Sequence, residues 1–237
     1  GVTGNATISI VGNQLTVDTF DNFNGDIEVT VLVSDQLGLS DSQTFILTVE
    51  PTNDTPTIEL VSDQEVDEDK IIELALFGND IDVDDILTFS VVDTDNATVV
   101  IDGNILTVDS DENYNGVLDI EVSISDGLAS ASTSFSVTVN PVNDAPELSF
   151  IEDQSIFEDG DSLVLLLDAT DIDLDDLTYD AGVTGNATIS IVGNQLTVDI
   201  FDNFNGSIEV TVFVSDGVLS NSQTFILTVE PTNDTPT

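Results

Sequence analysis

The sequence of 237 residues lacks Cys, His and Arg entirely and has one Lys, Lys70. Without Cys, neither disulfides nor thiolate-bound metals can stabilise the fold. Without clustered basic residues the chain cannot bind phosphate groups, which excludes nucleic acid and disfavours anionic membrane surfaces as partners. The commonest general base, thiol nucleophile and oxyanion-stabilising side chain are also missing, so we do not expect an enzyme. No apolar run reaches a membrane span, and we expect no direct membrane insertion of this segment.

Acidic residues dominate the charge of the chain. Asp and Glu number 47, and the formal net charge is −46. Such self-repulsion opposes a compact state unless cations neutralise it. The apolar fraction of 40% nevertheless argues against disorder, which requires low hydrophobicity as well as high charge. The composition therefore predicts a folded chain that depends on cations.

The sequence repeats itself. Residues 182–215 reproduce residues 1–34 with three differences, and the motif NDxP recurs at Asn53, Asn143 and Asn233, a spacing of 90 residues. A fixed period of this kind is typical of tandem modules. We therefore predict four segments: the C-terminal part of a module at 1–52 (module 1), complete modules at 53–142 (module 2) and 143–232 (module 3), and the start of a further module at 233–237. The first half of module 1 is expected upstream or from another chain.

Alternating apolar and polar residues predict an all-β fold. The predicted strands of module 2 are 57–61, 71–77, 86–92, 98–101, 104–109, 117–125 and 133–139. Within them, Leu106 and Val108 should share a buried face, as should the apolar set Leu118, Ile120, Val122 and Ile124. Seven short strands separated by turn residues in about ninety residues are typical of a Greek-key β-sandwich. We therefore predict tandem seven-stranded, cadherin- or Ig-like sandwiches arranged end to end.

The densest acidic segment follows the second predicted strand of each complete module. It reads DIDVDD at 80–85 and DIDLDD at 171–176. Alternating Asp residues place several carboxylates on one side of a short loop, which suits Ca²⁺ with its six to eight oxygen ligands. The segment is not an EF-hand, because it lacks Gly at the sixth position, Glu at the twelfth and flanking helices. A solvated acidic loop is the alternative interpretation.

These motifs resemble cadherin-like tandem repeats of large bacterial surface proteins and adhesins. The matching elements are an acidic residue after the first strand, the xDxD loop, an acidic pair after the LTV strand, an Asp before the last hairpin, and the linkers EPTNDTP (50–56) and NPVNDAP (140–146). The resemblance covers essentially the whole chain. It implies seven-stranded sandwiches with Ca²⁺ held between consecutive modules.

The resemblance also assigns ligands to each junction. For modules 1 and 2 it implies Asp18, Asp21, Glu50, Asn53, Asp54, Asp80, Asp82 and Asp126. For modules 2 and 3 it implies Glu68, Asp109, Asp111, Asn143, Asp144, Asp171, Asp173 and Asp216. The number of ions per junction stays open, because modules 1 and 3 space their acidic pair by three residues instead of two.

We predict a structural function: a calcium-rigidified stalk or fibre segment of a large extracellular or cell-surface protein. The role in adhesion follows from the family resemblance. The predicted partners are neighbouring modules, through calcium, and further copies through lateral or end-to-end association. Alternatives are a filament subunit, adaptation to high salt, or a carbohydrate-binding array, although the chain has no Trp and only Tyr114 and Tyr179.

Overall fold

The structure, a computed structural model, describes residues 1–233, so most of the predicted further module lies outside the described residues. The chain divides into two compact units, Gly1–Asn140 and a second that begins at Pro141. The regular structure of residues 1–233 is entirely β, and no helix suited to crossing a membrane occurs among them. The all-β prediction is confirmed.

Module 1 contains two β-hairpins within the first unit. Its strands are β1 (Ala6–Val11), β2 (Gln14–Thr19), β3 (Gly25–Ser34) and β4 (Ser40–Val49). β1 pairs only with β2, and β3 pairs only with β4 among these named strands, both antiparallel. The buried core of this segment is small and consists of Ala6, Ile27 and Val29.

Module 2 is a sandwich of two larger sheets. Its strands are β5 (Thr57–Ile58), β6 (Gln64–Asp67), β7 (Ile71–Ala75), β8 (Gly78–Asn79), β9 (Thr88–Val91), β10 (Ala97–Asp102), β11 (Ile105–Ser110), β12 (Gly116–Ser125) and β13 (Ser130–Asn140). One sheet has the order β10-β11-β7 and the other β6-β13-β12-β9, while β5 pairs with β8. The pairing of β6 with β13 is parallel and the other pairings are antiparallel.

The second unit, described by itself, repeats this architecture. Its strands are β14 (Glu147–Leu148), β15 (Gln154–Phe157), β16 (Leu163–Leu166), β17 (Ala169–Thr170), β18 (Thr178–Val183), β19 (Ala187–Val192), β20 (Gln195–Ile200), β21 (Gly206–Ser215) and β22 (Ser220–Glu230). The sheets are β15-β22-β21-β18, β16-β20-β19 and β14-β17.

The predicted side-chain alternation is confirmed in both strands for which it was specified. Leu106 and Val108 of β11 are buried, whereas Ile105 and Asp109 are exposed. The four apolar residues of β12 are buried between the sheets. Each such side chain contributes about 1.5–3 kcal/mol when fully removed from water, so the two faces hold the sandwich together.

Each of the seven segments predicted as strands in module 2 overlaps an observed strand, and the structure adds β6 and β8. β6 has the sequence QEVD, with one apolar residue, and it is held at a sheet edge by parallel pairing with β13. β8 is only two residues long and pairs with β5. Main-chain hydrogen bonds rather than buried side chains define both strands, so the pattern of apolar and polar residues does not reveal them.

Candidate metal centres

The first candidate centre lies at the end of module 2 that adjoins its N-terminal linker. Asp80 and Asp85 belong to the loop after β8, and Asp126 lies in the turn between β12 and β13. The fold brings these three together, because one carboxylate oxygen of each lies within 4.8 Å of the other two. The sandwich thus turns residues that are up to 46 positions apart into one cluster of negative charge.

Hydrogen bonds orient the carboxylates of this centre. The backbone N–H groups of Leu128 and Ala129 each donate to Asp126 Oδ1 at 2.6 Å, and Asn53 Nδ2 donates to Asp126 Oδ2 at 3.0 Å. The N–H of Asp82 donates to Asp80 Oδ1 at 3.0 Å. These donors hold the carboxylates in place, as hydrogen bonds to the ligands do in metal sites.

The linker is tied to the same loop. The N–H of Asp54 donates to Asp82 Oδ2 at 2.8 Å. Together with the bond from Asn53, this contact brings five predicted ligands to one end of module 2: Asn53, Asp54, Asp80, Asp82 and Asp126.

One oxygen of the cluster has no hydrogen-bond partner. Asp80 Oδ2 is a buried atom without a donor. Leaving a charged oxygen buried and unsatisfied is expensive, so such an atom in a native fold requires an explanation. A cation would satisfy it. The all-oxygen donor set of carboxylates fits Ca²⁺ rather than a transition metal.

The pKa values of two carboxyl groups in the cluster are shifted in opposite directions. Desolvation, together with the nearby carboxylates of Asp82, Asp80, Asp126 and Asp84, raises the pKa of Asp85 above its usual value. In contrast, the Ala129 N–H, the Asn53 amide and the Leu128 N–H hold the pKa of Asp126 below its usual range. Hydrogen bonds thus favour the ionised form of Asp126, whereas the nearby carboxylates disfavour that of Asp85, a repulsion that a cation would relieve.

The second unit repeats the hydrogen bonds of this centre. Asn143 Nδ2 donates to Asp216 Oδ2, and the N–H of Asp144 donates to Asp173 Oδ2, each at 2.8 Å. The N–H of Asp173 donates to Asp171 Oδ1 at 3.0 Å. Asp171 Oδ2, like Asp80 Oδ2, is buried without a hydrogen-bond partner. The Asn143 amide is the main cause of a lowered pKa at Asp216.

Other predicted ligands of the first unit line a cleft beside the linker between modules 1 and 2. The cleft has a volume of about 300 Å³, and the predicted ligands in its wall are Asp21, Glu50, Asp54 and Asp82. Asp18 lies on β2, paired with Thr7. The grouping of Asp21 and Glu50 with Asp54 and Asp82 is the arrangement that a junction site would need, while the role of Asp18 stays a prediction.

The remaining predicted ligands lie at the opposite end of module 2. Glu68 follows β6 and is buried, with its N–H donating to the Asn140 carbonyl at 2.9 Å. Asp109 is exposed on β11, and Asp111 follows that strand. Their roles as ligands stay predictions.

The ligand set read from the sequence omitted several acidic residues that the structure places in clefts or clusters. Asp85 belongs to the first centre, and the doubled Asp at the end of DIDVDD was its signal. In the second unit, Asp159 and Asp161 line a cleft of about 280 Å³ together with Asp199 and Asp202. The signal there was the acidic segment EDGD, which follows the strand β15.

A comparison with known proteins supports the fold. Residues 53–140 match a protein-family model described as bacterial Ig domain. No curated protein sequence matches this chain. Among solved structures, the chain is similar to mouse protocadherin-24 EC1–3, with 14% identity, a TM-score of 0.51, and coverage of 98% of this chain and 89% of that chain.

Two further structures match at lower TM-scores. Drosophila N-cadherin EC1–4 matches with 15% identity and a TM-score of 0.41, covering 97% of this chain and 65% of that one. An endo-fucoidan hydrolase of glycoside hydrolase family 107 matches with 19% identity and a TM-score of 0.34, and the chain spans 39% of it. The protocadherin-24 match therefore carries the argument. With the family model, it confirms the predicted cadherin- and Ig-like tandem β-sandwich repeats.

Proposed function

We propose that this chain is a calcium-stiffened spacer segment of an extracellular or cell-surface repeat protein that serves adhesion. The observation that carries the proposal is the pair of equivalent centres. In each unit an Asn–Asp linker is hydrogen-bonded to an acidic loop that holds one buried carboxylate oxygen without a donor. A solvated acidic loop would not require these hydrogen bonds to the linker, nor their repetition in both units.

Calcium would act through charge. Without a cation, the carboxylates of Asp80, Asp85 and Asp126 repel one another at short range, in a chain of net charge −46. Ca²⁺ bound to these oxygens would cancel the repulsion. Since Asn53 is hydrogen-bonded to Asp126 and Asp54 to Asp82 of the same loop, the ion would also restrain the linker.

We extend this role to the other predicted ligands that line the cleft beside the linker, Asp21 and Glu50. An ion shared between module 1 and module 2 would convert a flexible connection into a fixed one. A repeat array stiffened at each linker is suited to holding a distal binding domain away from a cell. The proposal includes neighbouring modules, and further copies of the chain, as its partners, and it includes no catalytic reaction.

Calorimetric titration of the chelator-treated chain with CaCl₂, at constant ionic strength, tests this function. We expect saturable binding with dissociation constants of about 10⁻⁴–10⁻³ M, as in extracellular calcium modules. We also expect a higher thermal unfolding temperature at saturation, because a ligand that binds the folded state stabilises it.

A matched pair of variants makes the test specific. Asp126→Asn removes a charge from the first centre, whereas Asp102→Asn removes one from an exposed Asp-Gly turn outside it. We expect weaker calcium binding at the first centre in the Asp126 variant only. Heats and unfolding temperatures that are the same in CaCl₂ and in ionic-strength-matched NaCl would refute the proposal.

A further inference from the structure

The acidic loops of the two units differ in length by one residue. Between the shared segments DID and LT, the first loop reads VDDI at 83–86 and the second reads LDD at 174–176. Both loops contain the same number of Asp residues, and the first has Ile86 in addition, which is 80% exposed. Since Ile86 adds neither charge nor core packing, the difference that it makes must come from the path of the backbone.

The shorter loop reverses its direction earlier. In the first loop the Asp85 N–H donates to the Asp82 carbonyl at 3.1 Å, which closes a turn near the end of the motif. In the second loop the Leu174 N–H donates to the Asp171 carbonyl at 3.3 Å. Asp171 is the first residue of its motif and Asp82 is the third, so the second turn begins two positions earlier.

The early turn strains the backbone. Leu174 has a φ of 63°, in the left-handed region that residues other than Gly, Asn and Asp rarely adopt. Val83, at the same position of the first loop, lies outside this region. The Leu174 side chain is 88% exposed, so packing does not hold the backbone in this conformation. The short connection to β18 accounts for it, because the chain must turn sooner to reach that strand.

The position of the turn decides which carboxylates come together. In the first loop the turn carries Asp85 back to the cluster, where one of its oxygens lies within 4.8 Å of those of Asp80 and Asp126. The counterparts of the last two in the second unit are Asp171 and Asp216, which share no such group of three among the described residues. The second centre therefore lacks the third carboxylate that the first has assembled.

We propose that the two centres bind Ca²⁺ unequally. The first binds at lower free calcium with Asp85 as an additional ligand, and the second binds at higher free calcium without the corresponding Asp176. The extra residue Ile86 sets the difference through the length of the loop. Three gathered carboxylates attract a divalent cation more strongly than two. This inference rests on the proposed function, because it requires that both centres bind calcium.

Hydrogen bonds hold the second loop in its early turn. Asp171 Oδ1 accepts from the Asp173 N–H at 3.0 Å and from the Asp175 N–H at 3.4 Å. To bring its last carboxylate to the ion, the second loop would have to break the bond from Asp175 and move its turn. The first loop already has the required path, so its centre binds without this rearrangement.

Unequal centres would make the stiffening gradual. Asn53 and Asp54 are hydrogen-bonded to acidic residues of the first unit, and Asn143 and Asp144 to the equivalent residues of the second. As free calcium rises, the first linker would be restrained before the second. A chain of this kind responds to calcium over a wider concentration range than one with identical centres.

A calcium titration of the ¹⁵N-labelled chain, followed by nuclear magnetic resonance, measures the two centres separately. The amides of Leu128 and Ala129 report on the first centre, and those of Val218 and Leu219 on the second. We expect the midpoint of the first centre at a calcium concentration at least about fivefold lower. Non-specific screening would give equal midpoints, because the two loops contain the same number of Asp residues.

Two matched variants test the role of the additional ligand. Asp85→Asn and Asp176→Asn remove the same charge from the last position of the two motifs. We expect Asp85→Asn to raise the midpoint of the first centre about tenfold, because it removes a gathered carboxylate. Asp176 is exposed and outside any cluster of three among the described residues, so its variant should shift the second midpoint by less than about threefold.

A change of loop length tests the cause. An Ile inserted between Asp176 and Leu177 gives the second loop the length of the first. We expect the second midpoint to fall at least about fivefold. In the calcium-free chain, Leu174 should leave the left-handed region, as its ¹³Cα and ¹³Cβ chemical shifts would show. Leu174→Gly is the control, because Gly adopts this φ without strain while the loop stays short; it should shift the midpoint by less than about twofold.

The outcomes separate this inference from the proposed function. If neither pair of amides responds to calcium beyond the effect of ionic-strength-matched NaCl, the proposed function fails and the inference fails with it. If both pairs respond at equal midpoints, or the second responds first, calcium binding stands and the inference is overturned. Equal effects of Asp85→Asn and Asp176→Asn would also overturn it, as would a gain in affinity from Leu174→Gly as large as that from the insertion.

Discussion

Replacing Asp80 with Asn is the sharpest perturbation of the first metal centre. The change keeps Oδ1, which accepts from the Asp82 N–H, and replaces the unpartnered Oδ2 by an amide nitrogen. It also lowers the number of carboxylates in the cluster from three to two. The perturbation is therefore directed at a buried carboxylate oxygen for which the fold supplies no donor.

The expected magnitude follows from the charge removed. A unit charge at a typical Ca²⁺–oxygen distance of about 2.4 Å attracts the ion by about 3 kcal/mol even in the dielectric of water. The amide oxygen stays as a neutral ligand and recovers part of this. Since about 1.4 kcal/mol corresponds to tenfold in affinity, we expect the dissociation constant of this centre to rise about 10- to 100-fold.

Nuclear magnetic resonance can follow the centre separately from the rest of the chain. In a calcium titration of ¹⁵N-labelled protein, the amides of Leu128 and Ala129 report on the first centre, because both donate to Asp126 Oδ1. Those of Val218 and Leu219 report on the equivalent place in the second unit. They provide an internal reference in the same sample.

The control variant is Asp84→Asn, which removes the same charge from an exposed residue of the same loop that is outside the three-carboxylate cluster. We expect it to change the midpoint for Leu128 and Ala129 by less than about threefold, since exposed charges contribute little. Equal effects of Asp80→Asn and Asp84→Asn would show that calcium only screens the loop, and would refute the reasoning.

Three further predictions concern stability. Leu196→Ala should destabilise the second unit by about 2–5 kcal/mol, because Leu196 is fully buried. Leu15, its counterpart in module 1, is partly exposed, so Leu15→Ala should destabilise module 1 by less than about half as much. Residue-resolved hydrogen exchange measures both losses of stability, and equal losses would contradict this explanation. The Asn143 amide lowers the pKa of Asp216 in the folded chain. The stabilisation that the Asp216 carboxylate provides should therefore be complete above about pH 4 and be lost as the pH falls through this lowered pKa. Urea unfolding at several pH values would test this. Glu158→Ala should cost about 1–3 kcal/mol in the same urea assay, because the variant loses the two hydrogen bonds that the buried Glu158 carboxylate accepts, and an unchanged midpoint would contradict this.

The strands that bury a regular face could be predicted from the sequence. The alternation in β11 and β12 is enforced by two apolar sheets packed against each other, so each buried residue leaves a mark at period two. β6 and β8 could not be predicted in this way. Main-chain pairing determines them, and side chains such as those of Gln64 and Glu65 carry no signal of it.

The sequence predicted most of the acidic residues of the candidate centre, but not all of those that the fold brings together. The DIDVDD loop marked Asp80 and Asp82, and repetition of the turn marked Asp126. Membership of Asp85 depends on how the loop folds back after Asp82, where the N–H of Asp85 donates to the Asp82 carbonyl at 3.1 Å. Spacing along the chain does not encode that reversal.

Small-angle X-ray scattering of the chain in millimolar Ca²⁺, and then in excess chelator at constant ionic strength, tests the central claim of calcium-stiffened linkers most directly. We expect a narrow pair-distance distribution with a well-defined maximum dimension in calcium, and a broad distribution after chelation. Profiles that are superimposable in the two conditions would contradict it, and the acidic loops would then be solvated surface rather than metal centres.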